Sequence, residues 1–149
     1  MRTKFILLVE DNPDDALLAV RALRKNNIWA DVEVVHDGVE ALDFLFGTGN
    51  FCGRNVAEKP AMILLDLGLP RVHGFEVMRR LRADKRTRDL PVIIITSSWN
   101  PDDILQGYSL RADGYVCKSV QFDKFVDALG HLGLDGLLGD EPARAKVEV

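Results

Sequence analysis

The stretch Ala61-Met62-Ile63-Leu64-Leu65-Asp66-Leu67-Gly68-Leu69-Pro70 sets a carboxylate directly after five apolar residues and follows it with a glycine and a proline. An apolar run without polar alternation reads as a strand covered on both faces. A carboxylate at the end of such a strand is costly unless something pairs with it. Asp66 is therefore either a cap for the next element or a group that the fold delivers to a site.

Four more short, mainly apolar runs flank this one: Phe5–Val9, Val32–Val35, Val92–Ile95 and Tyr115–Cys117. Between them, apolar residues recur at helical spacing. The first such segment carries Ala16, Leu17, Val20 and Leu23, and the next Val39, Leu42 and Phe46. Phe75, Val77, Met78 and Leu81 mark a third, and Ile104, Leu105 and Tyr108 a fourth. Phe122, Phe125, Val126 and Leu129 mark the last. Strands alternating with helices predict an α/β fold, a doubly wound five-stranded parallel sheet with helices on both faces. Asn-Pro-Asp-Asp occurs twice, at Asn12–Asp15 and Asn100–Asp103. In each, Asn suits the cap, Pro the first helical position, and the acids the positive helix end.

Composition bounds the function. The chain has 149 residues, 47% hydrophobic and 28% charged, with a net charge of −4. That is room for one domain with a real core. The acidic balance excludes a generally basic, nucleic-acid-binding surface. The local cluster Arg79, Arg80, Arg82, Lys85, Arg86 and Arg88 reads as a solvated helix face and turn. Glu10 and Asp11 end the first apolar run too early for a signal peptide, and no segment is long enough to span a membrane. Cys52 and Cys117 lack motif spacing and read as free thiols, so the expected location is the cytoplasm. Residues 1–132 form the expected domain; residues 133–149 are a short tail, with no separate output domain. Residues 47–60 read as a long polar loop.

In a parallel sheet of order 2-1-3-4-5, the flavodoxin-like arrangement, ligands sit beyond the carboxyl ends of the strands where the order reverses. Glu10 and Asp11 end strand one and Asp66 ends strand three, so the three acids would meet there. Thr96 and Lys118, at the ends of strands four and five, would face the same edge. Clustered carboxylates favour a hard divalent cation, and magnesium is the expected cofactor. A carboxylate beside a metal can attack phosphorus, with Lys118 neutralising phosphoryl charge and Thr96 donating a hydrogen bond. Any one of these residues alone would be an ordinary cap or a solvated side chain. All of them at their own strand ends carry the reading.

The motifs LLVEDN, LLDLGLPRVHGFEVMRRLR, LPVIIITSS and ADGYVCKS resemble the receiver domain of two-component response regulators, from about Lys4 to Leu132. The resemblance implies that Asp66 takes a phosphoryl group from a partner histidine kinase. It implies magnesium on Asp11 and Asp66 directly, on Glu10 through water, and on the Gly68 carbonyl. Thr96 matches the switch threonine, Lys118 the phosphate-binding lysine, and Tyr115 the aromatic that turns inward on activation. EDNPDDALL, ALDFLFG, RTRDLP and GYSLRADGYVCKS are similar to the stand-alone regulators of bacterial phytochrome kinases. The family also implies a homodimer through the helix 4–strand 5–helix 5 face, with Tyr108, Val116, Phe122 and Phe125 as apolar contacts. Ser119 stands where most receivers have a cis proline, and His73, where an acid is common, reads as a surface loop residue. Trp99 would lie near the site, while Trp29 packs. Two alternatives remain open: a pseudo-receiver that binds without phosphorylation, and an aspartyl-nucleophile phosphatase, although Gly68 stands where the latter places a second acid.

Overall fold

A computed structural model describes residues 5–25, 28–69, 72–96 and 100–117. Five parallel strands, β1 (Phe5–Val9), β2 (Asp31–Val35), β3 (Met62–Asp66), β4 (Val92–Thr96) and β5 (Gly114–Cys117), form one sheet of order β2-β1-β3-β4-β5. Between them run α1 (Pro13–Lys25), α2 (Gly38–Phe46), α3 (Gly74–Ala83) and α4 (Pro101–Ser109). The predicted doubly wound, flavodoxin-like topology is the observed one. Every residue of β1, β3 and β4 is buried, as the continuous apolar runs required. β3 and β4 each extend one residue past the predicted run, so Asp66 and Thr96 are themselves strand residues.

One core cluster contains the inward side of β1, β3 and β4 with α2 and α3; the other contains the opposite side with α1. α3 buries Phe75, Val77, Met78 and Leu81, all as predicted. α1 differs. It buries Ala16, Ala19 and Leu23, while Leu17 is 49% exposed. Two alanines on the inner stripe let the helix backbone approach the sheet, and Leu17 falls outside that stripe. α4 differs more. Its only buried residue is Gly107, and Leu105 and Tyr108 are 69% and 50% exposed. Their helical spacing marks an outer apolar face rather than a core face.

Both Asn-Pro-Asp-Asp repeats are caps. Asn12 Oδ1 accepts from the N–H of Asp14 at 2.8 Å, and Asn100 Oδ1 from that of Asp102 at 2.9 Å. Arg24 lies over the Trp29 ring and donates to the carbonyls of Ile28 and Ala30, so Trp29 packs as expected.

The 47–60 segment is more ordered than a polar loop. It contains a 3-10 turn, Gly49–Phe51, and Phe51 packs edge-on against Phe44. Arg54 sits 4.0 Å over the Phe44 ring and donates to the carbonyls of Phe44, Asn55 and Glu58. Arg82 is a second carbonyl hub. Read from the sequence as one of a solvated cluster, its side chain is 9% exposed and donates to the carbonyls of Arg88, Leu90, Leu110 and Arg111. It thereby ties the segment before β4 to the segment before β5. The rest of the basic cluster is largely paired locally: Arg79 and Arg80 with Glu76, Arg86 with Asp84. Among the described residues no helix is long and apolar enough to cross a membrane. Helix 5, the 133–149 tail and the Lys118–Ser119 bond lie outside the described residues.

Candidate functional site

The carboxyl edge of β1 and β3 gathers the acids. The Glu10 N–H donates to the Val35 carbonyl at 2.9 Å, so the chain stays in the sheet one residue past β1. This turns the Glu10 side chain inward, where it is 1% exposed, and its Oε2 accepts from the Asn12 N–H at 3.2 Å. Asp11 is the exposed residue of the pair. Val9 is paired with Leu65, so the next residue on β3, Asp66, stands beside Glu10. Asp66 is 6% exposed and its Oδ1 accepts from the Gly68 N–H at 3.2 Å.

Carboxylate oxygens of Glu10, Asp11 and Asp66 lie within 4.8 Å of one another. At that spacing two unit charges repel by about 3 kcal/mol at an effective dielectric of about 20, and less where water screens the exposed Asp11. The donor set is all oxygen, with two members buried and one open to solvent. It fits a hard divalent cation that keeps part of its water shell, and water can bridge where a carboxylate does not reach.

Thr96 ends β4 and is 4% exposed. Asp66 is paired with Ile95, so Thr96 lies one residue further along the same edge. Tyr115 is half-buried on β5 and packs against the core beneath α4. A methyl group on Gly107 would lie 3.6 Å from its ring. Gly68 is exposed, and a side chain there would meet only Asp66 Oδ1, at 4.0 Å. Lys118 and Trp99 lie outside the described residues. Val116 is 5% exposed within the second core cluster, so it is not the surface contact that the sequence reading made it.

Two glycines that sequence reasoning passed over, and a second role of His73, shape the backbone between Asp66 and α3 among the described residues. A Cβ on Gly74 would come within 2.9 Å of both the Asp66 carbonyl oxygen and the Leu67 Cα. One on Gly38 would collide with the backbone of Val72. These glycines let α2 and α3 press on the loop from two sides. His73 is exposed as expected, but it also caps α3: its Nδ1 accepts from the Phe75 N–H at 3.1 Å. The only sequence signal was a glycine at each helix start.

Comparison with known proteins gives the family. The family model for the response regulator receiver domain matches residues 6–130, and the chain belongs to that family. A probable methanogenesis regulatory protein, FilR2 of Methanothrix harundinacea, is 39% identical over 119 residues, covering 79% of this chain and 74% of that protein. Response regulator Rcp1 of Synechocystis is 34% identical over 116 residues, covering 78% of this chain and 77% of its own. Among solved structures, the bacteriophytochrome response regulator AtBRR superposes with a TM-score of 0.79 at 40% identity, over 90% of this chain and 95% of its own. Mn(2+)-bound Rcp1 gives 0.75 at 31% identity over 95% and 100% of the two chains. The phosphorylated cyanobacterial phytochrome response regulator RcpA gives 0.74 at 33% over 94% and 99%.

Proposed function

We propose that this receiver domain, with residues 1–132 as one functional unit, takes a phosphoryl group on Asp66 from a histidine kinase. The observation that carries the reading is a buried carboxylate at the end of β3, clustered with Glu10 and Asp11. An Asp66 oxygen attacks phosphorus in line; the new P–O bond forms as the P–N bond to the kinase histidine breaks, and the imidazole leaves with the bonding pair. Asp11, Asp66 and the Gly68 carbonyl, with Glu10 through water, would hold magnesium, whose charge offsets that of the phosphoryl oxygens. Glu10 and Asp11 also fix the direction from which the phosphorus can approach. Thr96 donates its hydroxyl to a phosphoryl oxygen, and Lys118 supplies a cation. Mn(2+)-bound Rcp1 and phosphorylated RcpA, both of this fold, support the metal and the phosphoryl reading.

The domain is a phosphoacceptor rather than an enzyme acting on a separate substrate, and it works in the cytoplasm on protein partners. The names of RcpA and AtBRR support a phytochrome kinase as the donor. Output passes through the α4–β5–helix 5 face, where Leu105 and Tyr108 of α4 stand exposed, and a homodimer forms there.

Acetyl phosphate with magnesium should add one phosphoryl group, read by intact mass, and Asp66→Asn or chelation should remove most of the labelling. Undiminished labelling of Asp66→Asn would overturn the assignment.

A further inference from the structure

The 47–60 segment takes no part in the carboxylate site. It lies at the opposite pole of the sheet, before β3, and the length of that strand, about 16 Å, separates the two. There it meets the end of α2 and the turn between α3 and β4, and the three line a half-open cavity of about 190 Å³. Its apolar wall includes Leu45, Val56 and Leu90. Its cations are Arg54, Lys59 and Arg86, and no acidic side chain lines it.

These three cations differ in what they are free to do. Arg54 is committed to three carbonyls and the Phe44 ring, which holds the loop in shape. Arg86 is held by both oxygens of Asp84 and lies over the Phe46 ring. Lys59 is exposed, and among the described residues no carboxylate pairs with it. The wall is thus preorganised and one ammonium is left for a ligand. An apolar cavity of about 150 Å³ is enough to take benzene.

We propose that this cavity binds a small amphiphilic anion, an aromatic or short-chain carboxylate whose apolar body fills the space between Leu45, Val56 and Leu90 while its carboxylate meets Lys59. The apolar wall supplies affinity and the local cations, on a chain of net charge −4, supply the selection for an anion. The site does not depend on Asp66 or its chemistry.

The test titrates the ¹⁵N-labelled full chain with benzoate, benzyl alcohol and benzylammonium through the millimolar range. Saturable amide shifts should cluster at Ala57, Thr87 and Leu90, with benzoate binding tightest and benzylammonium weakest. Lys59→Gln, at an exposed position, should weaken benzoate about threefold and leave benzyl alcohol unchanged. Absence of saturable shifts, equal affinity for the three probes, benzoate binding unaffected by Lys59→Gln, or shifts centred on Gly68 instead would each overturn the proposal.

Discussion

Helices α3 and α4 follow neighbouring strands of one sheet, and each begins just past a residue of the candidate site. Their attachments are opposite. α3 buries Gly74, Phe75, Val77, Met78 and Leu81, and Arg82 at its end is tied to four carbonyls. α4 buries only Gly107 and turns Leu105 and Tyr108 to solvent. The backbone of Asp66 and Leu67 is therefore pressed against a helix fixed in the core, while the strand that ends in Thr96 leads to a helix with one buried residue. A change of charge or contact at the carboxylate edge has a soft neighbour and a hard one, and the soft one carries the exposed apolar surface.

The largest effect should separate the two helices directly. Leu81 is fully buried, so Leu81→Ala should destabilise by about 2–5 kcal/mol. Leu105→Ala, on α4, should stay within about 0.5 kcal/mol. Urea unfolding of the two variants measures both. A cost for Leu105→Ala that matches Leu81→Ala would show α4 to be as firmly held as α3.

This contrast marks what could be read from the chain. β1, β3 and β4 were legible because strands covered on both faces leave continuous apolar runs, and three acids and Thr96 were legible because each ends such a run. α3 was legible because its apolar stripe is its buried stripe. Periodicity alone does not say which way a stripe faces, and on α4 it faces out. In α1 the buried stripe is Ala16, Ala19 and Leu23; Ala19 is a small residue that a search for large apolar side chains passes over, while Leu17, which such a search admits, faces out. Arg54 and Arg82 escaped for another reason. Both bond to backbone carbonyls, and a carbonyl has no sequence signature.

Arg82 sharpens the comparison next. Burial pushes its guanidinium below its ordinary pKa, and Asp113, 3.6 Å away, opposes that shift in part. Arg82→Met keeps the apolar stem but leaves four carbonyls without this donor. We expect a loss of about 1.5–3 kcal/mol, with amide exchange quickening in the segments before β4 and β5 and not at the start of α3. Uniform quickening across the domain would mean that Arg82 does not act as a local tie.

Two glycines then test the same contrast at closer range. A Cβ on Gly74 would lie 2.9 Å from backbone atoms of Asp66 and Leu67, and one on Gly107 would lie 2.8 Å from Ile94 Cδ1. The distances are nearly equal but the neighbours are not. Backbone at the end of a buried strand cannot yield, so Gly74→Ala should cost about 1–3 kcal/mol and slow phosphorylation by acetyl phosphate. The end of an isoleucine side chain can rotate, and alanine gains up to about 1 kcal/mol of helix propensity, so Gly107→Ala should be neutral or stabilising. If Gly107→Ala proves the more costly of the two in thermal melts, α4 is seated more tightly than its exposure implies.

The smallest effect lies where α3 ends. Hydrogen bonds from the Arg86 side chain, then from its backbone N–H, hold the Asp84 carboxyl at about 2, below its ordinary 3.8. A carboxyl depressed in the folded state stabilises the fold at pH above its unfolded value, and that contribution is lost as pH falls through the folded one. Arg86 is exposed and Asp84 partly so, and salt and water leave the contribution small. The urea midpoint of the native chain should fall slightly between about pH 4 and pH 2 relative to Asp84→Asn, the two curves converging at the acid end. High salt should narrow the gap at neutral pH. Because Arg86 also lines the cavity under the 47–60 segment, Asp84→Asn has a second readout: it frees a guanidinium there and should tighten benzoate binding at pH 7. A gap that persists unchanged at pH 2 would mean that Asp84 acts through the turn after α3 rather than through its charge.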